Sequence, residues 1–142
     1  MEQRIDILLV EDNPNDSCLA QRVFRKLDLE QKVHIAKDGV EALEFLSQSQ
    51  NGSLNKSTLK VILLDLKMPR MTGLEFLEIV KSKEETRHLP VVILTSSNEE
   101  VDIERAYQLG VNSYLVKPVN YDVFSATIKD ITNYWLEINK TP

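Results

Sequence analysis

Val61-Ile62-Leu63-Leu64-Asp65-Leu66-Lys67-Met68-Pro69-Arg70-Met71-Thr72-Gly73 is the stretch from which the fold is read. Four apolar residues run directly into an aspartate, and Pro69 and Gly73 follow within eight positions of it. A short uninterrupted apolar run bounded by turn residues fits a strand buried on both faces, as in a parallel sheet. Asp65 then stands at the carboxyl end of a central strand, where open α/β sheets place their chemistry. An aspartate there can also serve only to cap a loop, so the flanking sequence decides.

On the N-terminal side, Ile5 to Val10 reads as a strand with Asp6 near its exposed beginning, ending in Glu11-Asp12. Asn13-Pro14-Asn15-Asp16 opens a helix, with asparagine as N-cap, proline at the first helical position and an acid in the first turn. Ala20, Val23, Phe24 and Leu27 give it one buried stripe. Lys32 to Ala36 is a second strand, Asp38-Gly39 a turn, and Ala42, Leu43 and Leu46 mark the next helix. Gln48 to Leu59 is a polar surface loop.

On the C-terminal side, Thr72-Gly73-Leu74-Glu75 matches a capping box for a helix that buries Leu77 and Val80. Val91 to Thr95 is another buried strand, finishing on the hydroxyls of Thr95, Ser96 and Ser97. Ser97-Asn98-Glu99-Glu100 reads as a second capping box, for a fourth helix stopped by Gly110. Ser113 to Val116 is a fifth strand, ending at Lys117-Pro118. The fifth helix opens at Asn120 and carries Phe124, Ile128, Ile131, Trp135 and Ile138 on one stripe. Strands alternating with helices imply right-handed crossovers and a covered parallel sheet. The expected fold is α/β: a flavodoxin-like, doubly wound (βα)5 sandwich with strand order 2-1-3-4-5.

Composition narrows the function. The 142 residues suit one domain, read as 1–142 with a core of about 5–138 and no output domain. A net charge of -5 without a basic block argues against nucleic acid. The single cysteine, Cys18, forms no internal disulfide and suits a reducing compartment. Neither a signal peptide nor a membrane-length apolar run is seen, so a cytoplasmic protein is expected.

Parallel strands finish on the same side, so Glu11-Asp12, Asp65, Thr95 and Lys117 converge at one mouth. Three close carboxylates repel one another and call for a cation; with oxygen donors and no nearby histidine or cysteine, the ion is Mg2+ or Mn2+. A carboxylate attacking a phosphoryl group, with a metal and a lysine neutralising its oxygens, uses every part.

On these strand-end residues the chain resembles the receiver domain of two-component response regulators, the CheY-like fold, over about Ile5 to Ile138. The resemblance implies that Asp65 is the phosphoacceptor. Asp12, Asp65 and the backbone carbonyl of Lys67 would bind Mg2+, with Glu11 acting through water. Thr95 and Lys117 would bind the phosphoryl group, Tyr114 would be the switch aromatic, and Lys117-Pro118 would be cis. It also implies a sensor histidine kinase as partner and homodimers through the face of the fourth helix, fifth strand and fifth helix. The protein would be no enzyme beyond its own phosphoryl transfer and autodephosphorylation. Asn13-Pro14-Asn15-Asp16, the polar loop and Tyr134-Trp135-Leu136 also resemble the stand-alone regulators that partner cyanobacterial phytochrome kinases, which implies a phytochrome partner.

Rival functions fit less well. Phosphatases and mutases with an aspartyl-phosphate usually need a second aspartate two positions on, and position 67 is lysine. A flavin phosphate would be repelled by Glu11-Asp12. A degenerate receiver that only docks to proteins would not need Asp65, Thr95 and Lys117 together. His34 and His88 are not spaced as a metal pair, Cys18 reads as a packing residue, and Met68 and Met71 as space-filling residues beside the acceptor.

Overall fold

Val61–Leu64 is the middle strand of a five-stranded parallel sheet, and all four of its residues are buried. A computed structural model describes residues 4–48 and 59–140 of the chain. In chain order the elements are β1 (Ile7–Val10), α1 (Pro14–Lys26), β2 (Val33–Ala36), α2 (Gly39–Ser47) and β3 (Val61–Leu64). They continue with α3 (Gly73–Ser82), β4 (Val91–Thr95), α4 (Glu100–Gln108), β5 (Ser113–Val116) and α5 (Tyr121–Asn133). The strand order is 2-1-3-4-5, as expected. The register pairs Val10 with both Ala36 and Leu64, Leu64 with Ile93, and Thr95 with Val116. The strand ends therefore lie level with one another.

Side chains alternate across the pleat and build a core on each face. Leu8, Val10, Ile62, Leu64 and Ile93 pack under Phe45, Phe76, Leu77 and Val80. Ile7, Leu9, Leu63, Val92 and Leu94 pack under Ala20, Phe24, Phe124 and Ile128. Three helix starts follow the sequence signals. Asn13 accepts hydrogen bonds from the Asn15 and Asp16 amides with Pro14 in the first turn. Thr72 and Glu75 form the reciprocal capping box, and Asn120 caps α5.

Several expectations are corrected. Asp6 is buried: its backbone pairs with both neighbouring segments and its carboxylate takes the Arg4 guanidinium at 3.0 Å. The capping box read at Ser97 is absent. Ser97 is buried and its hydroxyl donates to the Asp102 carboxylate at 2.6 Å, so α4 starts after Glu99 without a side-chain cap. Cys18 is exposed, because the buried stripe of α1 runs through Ser17, Ala20, Val23 and Phe24 and leaves position 18 outside. No cis bond occurs among the described residues, so Lys117-Pro118 is trans, the isomer an X–Pro bond favours by about 0.5–1 kcal/mol. Leu59, placed in the polar loop, belongs to the core; most of that loop lies outside the described residues. The stripe of α5 stays buried through Ile131, then the backbone widens into a π-turn at Tyr134–Ile138 with Trp135 half-buried and Ile138 exposed.

Candidate functional site

Each side chain at the mouth of the sheet is delivered by the residue that ends a strand. Glu11 follows β1 and is fixed by Asn13, whose amide donates to Glu11 Oε2 at 3.1 Å. Asp65 follows β3, and its Oδ1 accepts from the Leu66 amide at 2.7 Å. Thr95 is the last residue of β4 and has no exposed surface. Lys117 follows β5, with its amide bonded to the Thr95 carbonyl.

The loop after Asp65 is tightly held. Gly73 donates to the Leu66 carbonyl at 2.9 Å and lies so close beneath the strand end that a Cβ would stand 2.3 Å from the Asp65 carbonyl oxygen. Glycine is required there by close approach, with no help from unusual dihedrals.

Glu11, Asp12 and Asp65 offer carboxylate oxygens that all lie within 4.8 Å of one another. Glu11 and Asp65 are buried and Asp12 faces solvent. A compact set of hard, anionic oxygens open on one side suits Mg2+ or Mn2+, which keep several waters. Lys67, whose backbone carbonyl the sequence reading adds to this set, is exposed on the loop just after Asp65.

Lys117 supplies the opposing charge. Its ammonium donates to Glu11 Oε1 at 2.7 Å, Asp16 Oδ2 at 2.7 Å and Asp65 Oδ2 at 3.1 Å, which uses its three donors. Desolvation acts to lower its pKa, but Asp16 and Glu11 overcome this and drive it upward. The two buried carboxyls separate in the opposite sense. Burial raises Glu11 to about 7, against the pull of Lys117. Asp65 feels burial too, yet the Thr95 hydroxyl and the Lys117 charge hold it below the usual carboxylate range. Asp65 is thus the carboxyl that its surroundings favour as an anion, and Glu11 the one that burial disfavours. An ionised, desolvated carboxylate beside a hydroxyl and an ammonium is equipped to act as a nucleophile on an electron-poor centre.

Tyr114 is half-buried, and its hydroxyl donates to the Ser97 carbonyl at 2.9 Å. It thus ties β5 to the loop between Thr95 and α4. His34 lies off the site, stacked on Phe45 with ring centroids 4.1 Å apart, and His88 is exposed.

The structure brings together Glu11, Asp12, Asp65, Thr95 and Lys117, which the sequence reading grouped. It adds two residues that reading missed. Asp16 was taken only as an acid suited to a helix start, yet it is a direct partner of Lys117 across 101 positions of sequence. Arg70 grips Asp38 from the loop after Asp65. Neither contact leaves a periodic signal in the sequence.

Residues 7–129 match the response regulator receiver domain family. Among curated relatives, the probable methanogenesis regulatory protein FilR2 of Methanothrix harundinacea is 39% identical over 96% of this chain and 86% of its own. The response regulator Rcp1 of Synechocystis is 38% identical over 96% and 92%. The Mn2+-bound form of Rcp1 superposes with a TM-score of 0.85 at 37% identity, covering 97% of this chain and 99% of that one. The phosphorylated cyanobacterial phytochrome response regulator RcpA gives 0.87 at 34%, covering 98% and 99%.

Proposed function

The chain belongs to the response regulator receiver domain family, and from that premise we propose that it is a phosphorylation-controlled switch with Asp65 as its phosphoacceptor. The observation that carries the proposal is Asp65 itself. It is buried at the end of the central strand, held ionised by Thr95 and Lys117, and flanked by the acidic pair of the adjacent strand. A carboxylate oxygen of Asp65 would form the new P–O bond as the P–N bond of a kinase phosphohistidine breaks, the imidazole leaving with the electron pair.

Asp12, Asp65 and the Lys67 carbonyl would hold Mg2+, with Glu11 acting through water; that ion would offset charge on the phosphoryl oxygens. Lys117 would exchange its contact with Asp65 for one with the phosphoryl group, and Thr95 would turn its hydroxyl to a phosphoryl oxygen. The loop from Thr95 to Ser97 would follow, releasing Tyr114 and changing the face of α4, β5 and α5 that binds partners or a second copy.

The reading takes residues 1–142 as a single receiver domain, which agrees with the match over 92% of Rcp1. A sensor histidine kinase is the donor, and the likeness to RcpA supports a phytochrome kinase. FilR2 supports a second reading, in which the kinase answers a metabolic signal. Among the described residues no helix is long and apolar enough to cross a membrane, which agrees with the cytoplasmic placement proposed.

Incubation with Mg2+ and acetyl phosphate, followed by intact mass, tests the acceptor. The wild type should gain about 80 Da, the mass of one phosphoryl group, and Asp65→Asn should gain nothing. A full adduct on Asp65→Asn would overturn the assignment.

A further inference from the structure

The loop from Asp65 to Gly73 is tied down at its far end by a contact that the phosphoryl chemistry does not use. Arg70 Nε donates to Asp38 Oδ2 at 2.8 Å and Arg70 Nη2 to Asp38 Oδ1 at 3.0 Å, a forked grip across 32 positions of sequence. Asp38 is buried, and its Oδ1 also accepts from the Glu41 amide as the N-cap of α2. The Glu41 amide and, to a lesser degree, the Arg70 guanidinium hold the Asp38 carboxylate below its ordinary range, so it is charged throughout the neutral range. Arg70 takes a left-handed backbone with φ of 64°, uncommon for a residue with a Cβ. Its neighbour Met71 fills the space above Gly39, where a Cβ would stand 2.8 Å from the Met71 sulfur. The loop is thus anchored twice to the start of α2, by charge and by packing.

Lys67 lies between the two fixed points, Asp65 on the strand and Arg70 on Asp38. Resting on the cation-site reading above, we propose that the Asp38–Arg70 pair is a positioning latch. It sets the place of the Lys67 carbonyl relative to Asp12 and Asp65, and so governs cation affinity without touching cation or phosphoryl group. A carbonyl on a loop pinned at both ends loses little freedom when it joins a coordination shell; freed at one end, the loop must be ordered by the ion itself. The left-handed conformation at Arg70 fits this reading, since a disfavoured backbone persists only where its surroundings hold it.

The test compares the wild type with Arg70→Ala, Asp38→Asn and the double variant. Asparagine is as good an N-cap as aspartate, so Asp38→Asn removes the charge and spares the helix start. Mn2+ affinity, read by calorimetry, should fall about tenfold in each single variant, the low end of what losing an outer-shell partner costs a metal site. The double variant should be no worse than the weaker single. Amide exchange over Leu66–Thr72 without any cation should quicken in both single variants. Phosphorylation by acetyl phosphate should slow at low Mg2+ and recover at saturating Mg2+. Arg70→Lys, which keeps the charge and loses the fork, should fall between wild type and Arg70→Ala.

Unchanged Mn2+ affinity and unchanged loop exchange in both folded single variants would overturn the latch. So would losses that simply multiply in the double variant. A wild type that binds Mn2+ yet never gains a phosphoryl group would sink the acceptor reading and leave the latch decided by the binding and exchange results.

Discussion

Lys117→Met should destabilise the metal-free protein and tighten its grip on divalent cations. The lysine is about nine-tenths buried, as are Glu11 and Asp65, while Asp16 is a quarter exposed. Removing one partner from a buried ionic cluster costs about 3–5 kcal/mol, because the remaining charges are left uncompensated. Here the lower end is expected, since Glu11 is already raised to about 7 and can take up a proton. A loss of about 3 kcal/mol in chelator should move a urea midpoint down by about 1.5 M, for a slope near 2 kcal/mol/M.

The pH dependence follows from the same group. A carboxyl whose folded pKa lies above its unfolded value favours folding below the unfolded pKa, and that contribution fades as pH rises through the folded pKa. For Glu11 the window runs from 4.5 to about 7. Lys117 pulls the Glu11 pKa down, so without the lysine the window extends upward and the metal-free variant should be more stable at pH 6 than at pH 8. The cation responds in the opposite sense. Even with the full screening of water, a divalent ion about 6 Å from an ammonium gains about 1.4 kcal/mol when the ammonium goes, a factor of about ten in affinity. Urea titrations in chelator at the two pH values, with Mg2+ calorimetry, read both effects. A variant as stable as wild type in chelator, or one that binds Mg2+ more weakly, would refute the reasoning.

Three shorter predictions accompany it. Asp12→Ala should weaken Mg2+ binding sharply in calorimetry while leaving the fold intact, since Asp12 is exposed. Gly73→Ala should destabilise by about 3 kcal/mol or more in chemical denaturation, because the Asp65 carbonyl oxygen and the Leu66 Cα are backbone and cannot step aside for a Cβ at 2.3 and 2.7 Å. In sedimentation with beryllofluoride, the wild type should associate more strongly than without it, and Tyr114→Ala and Trp135→Ala should lose that response; three monomers in both states would exclude the α4-β5-α5 face.

The fold was legible because a buried parallel strand writes its position in consecutive residues. Val61 to Leu64 and Val91 to Leu94 are apolar runs that two-sided burial explains, and the residues after them fix where each strand ends. The grouping of the candidate site was legible for the same reason: a parallel sheet converts strand ends into neighbours, so Glu11, Asp65, Thr95 and Lys117 could be placed together from the sequence. Contacts made by residues inside helices and loops have no such rule. Asp16 meets Lys117, and Arg70 meets Asp38, through side-chain reach and rotamer choice, which leave no periodic mark. Ser97 shows the converse error: its spacing to Glu100 satisfied a local capping pattern, and Asp102, further into the same helix than that pattern considers, took the hydroxyl instead.

The distribution of packing says which part of the molecule is free to respond. The Asp65 side is overdetermined, with Gly73 wedged under Asp65, the Arg70 fork on Asp38 and three carboxylates on Lys117. By contrast, α4 buries only Ala106 and leaves Val101 and Tyr107 in solvent, its first turn lacks a side-chain cap, and β5 is a half-buried edge strand. Under the switch proposed above, a change at Thr95 would fall on the loop that Ser97 and Tyr114 share, because β3 and α3 are closely packed on the other side. A ligand that favours one arrangement by about 3 kcal/mol shifts its population roughly 150-fold. The Tyr114–Ser97 bond and the Ser97–Asp102 bond are the contacts on that loop whose breakage would free α4, and both are few and replaceable by water. The switch as proposed therefore requires no large rearrangement, only a stiff acceptor beside a weakly retained helix.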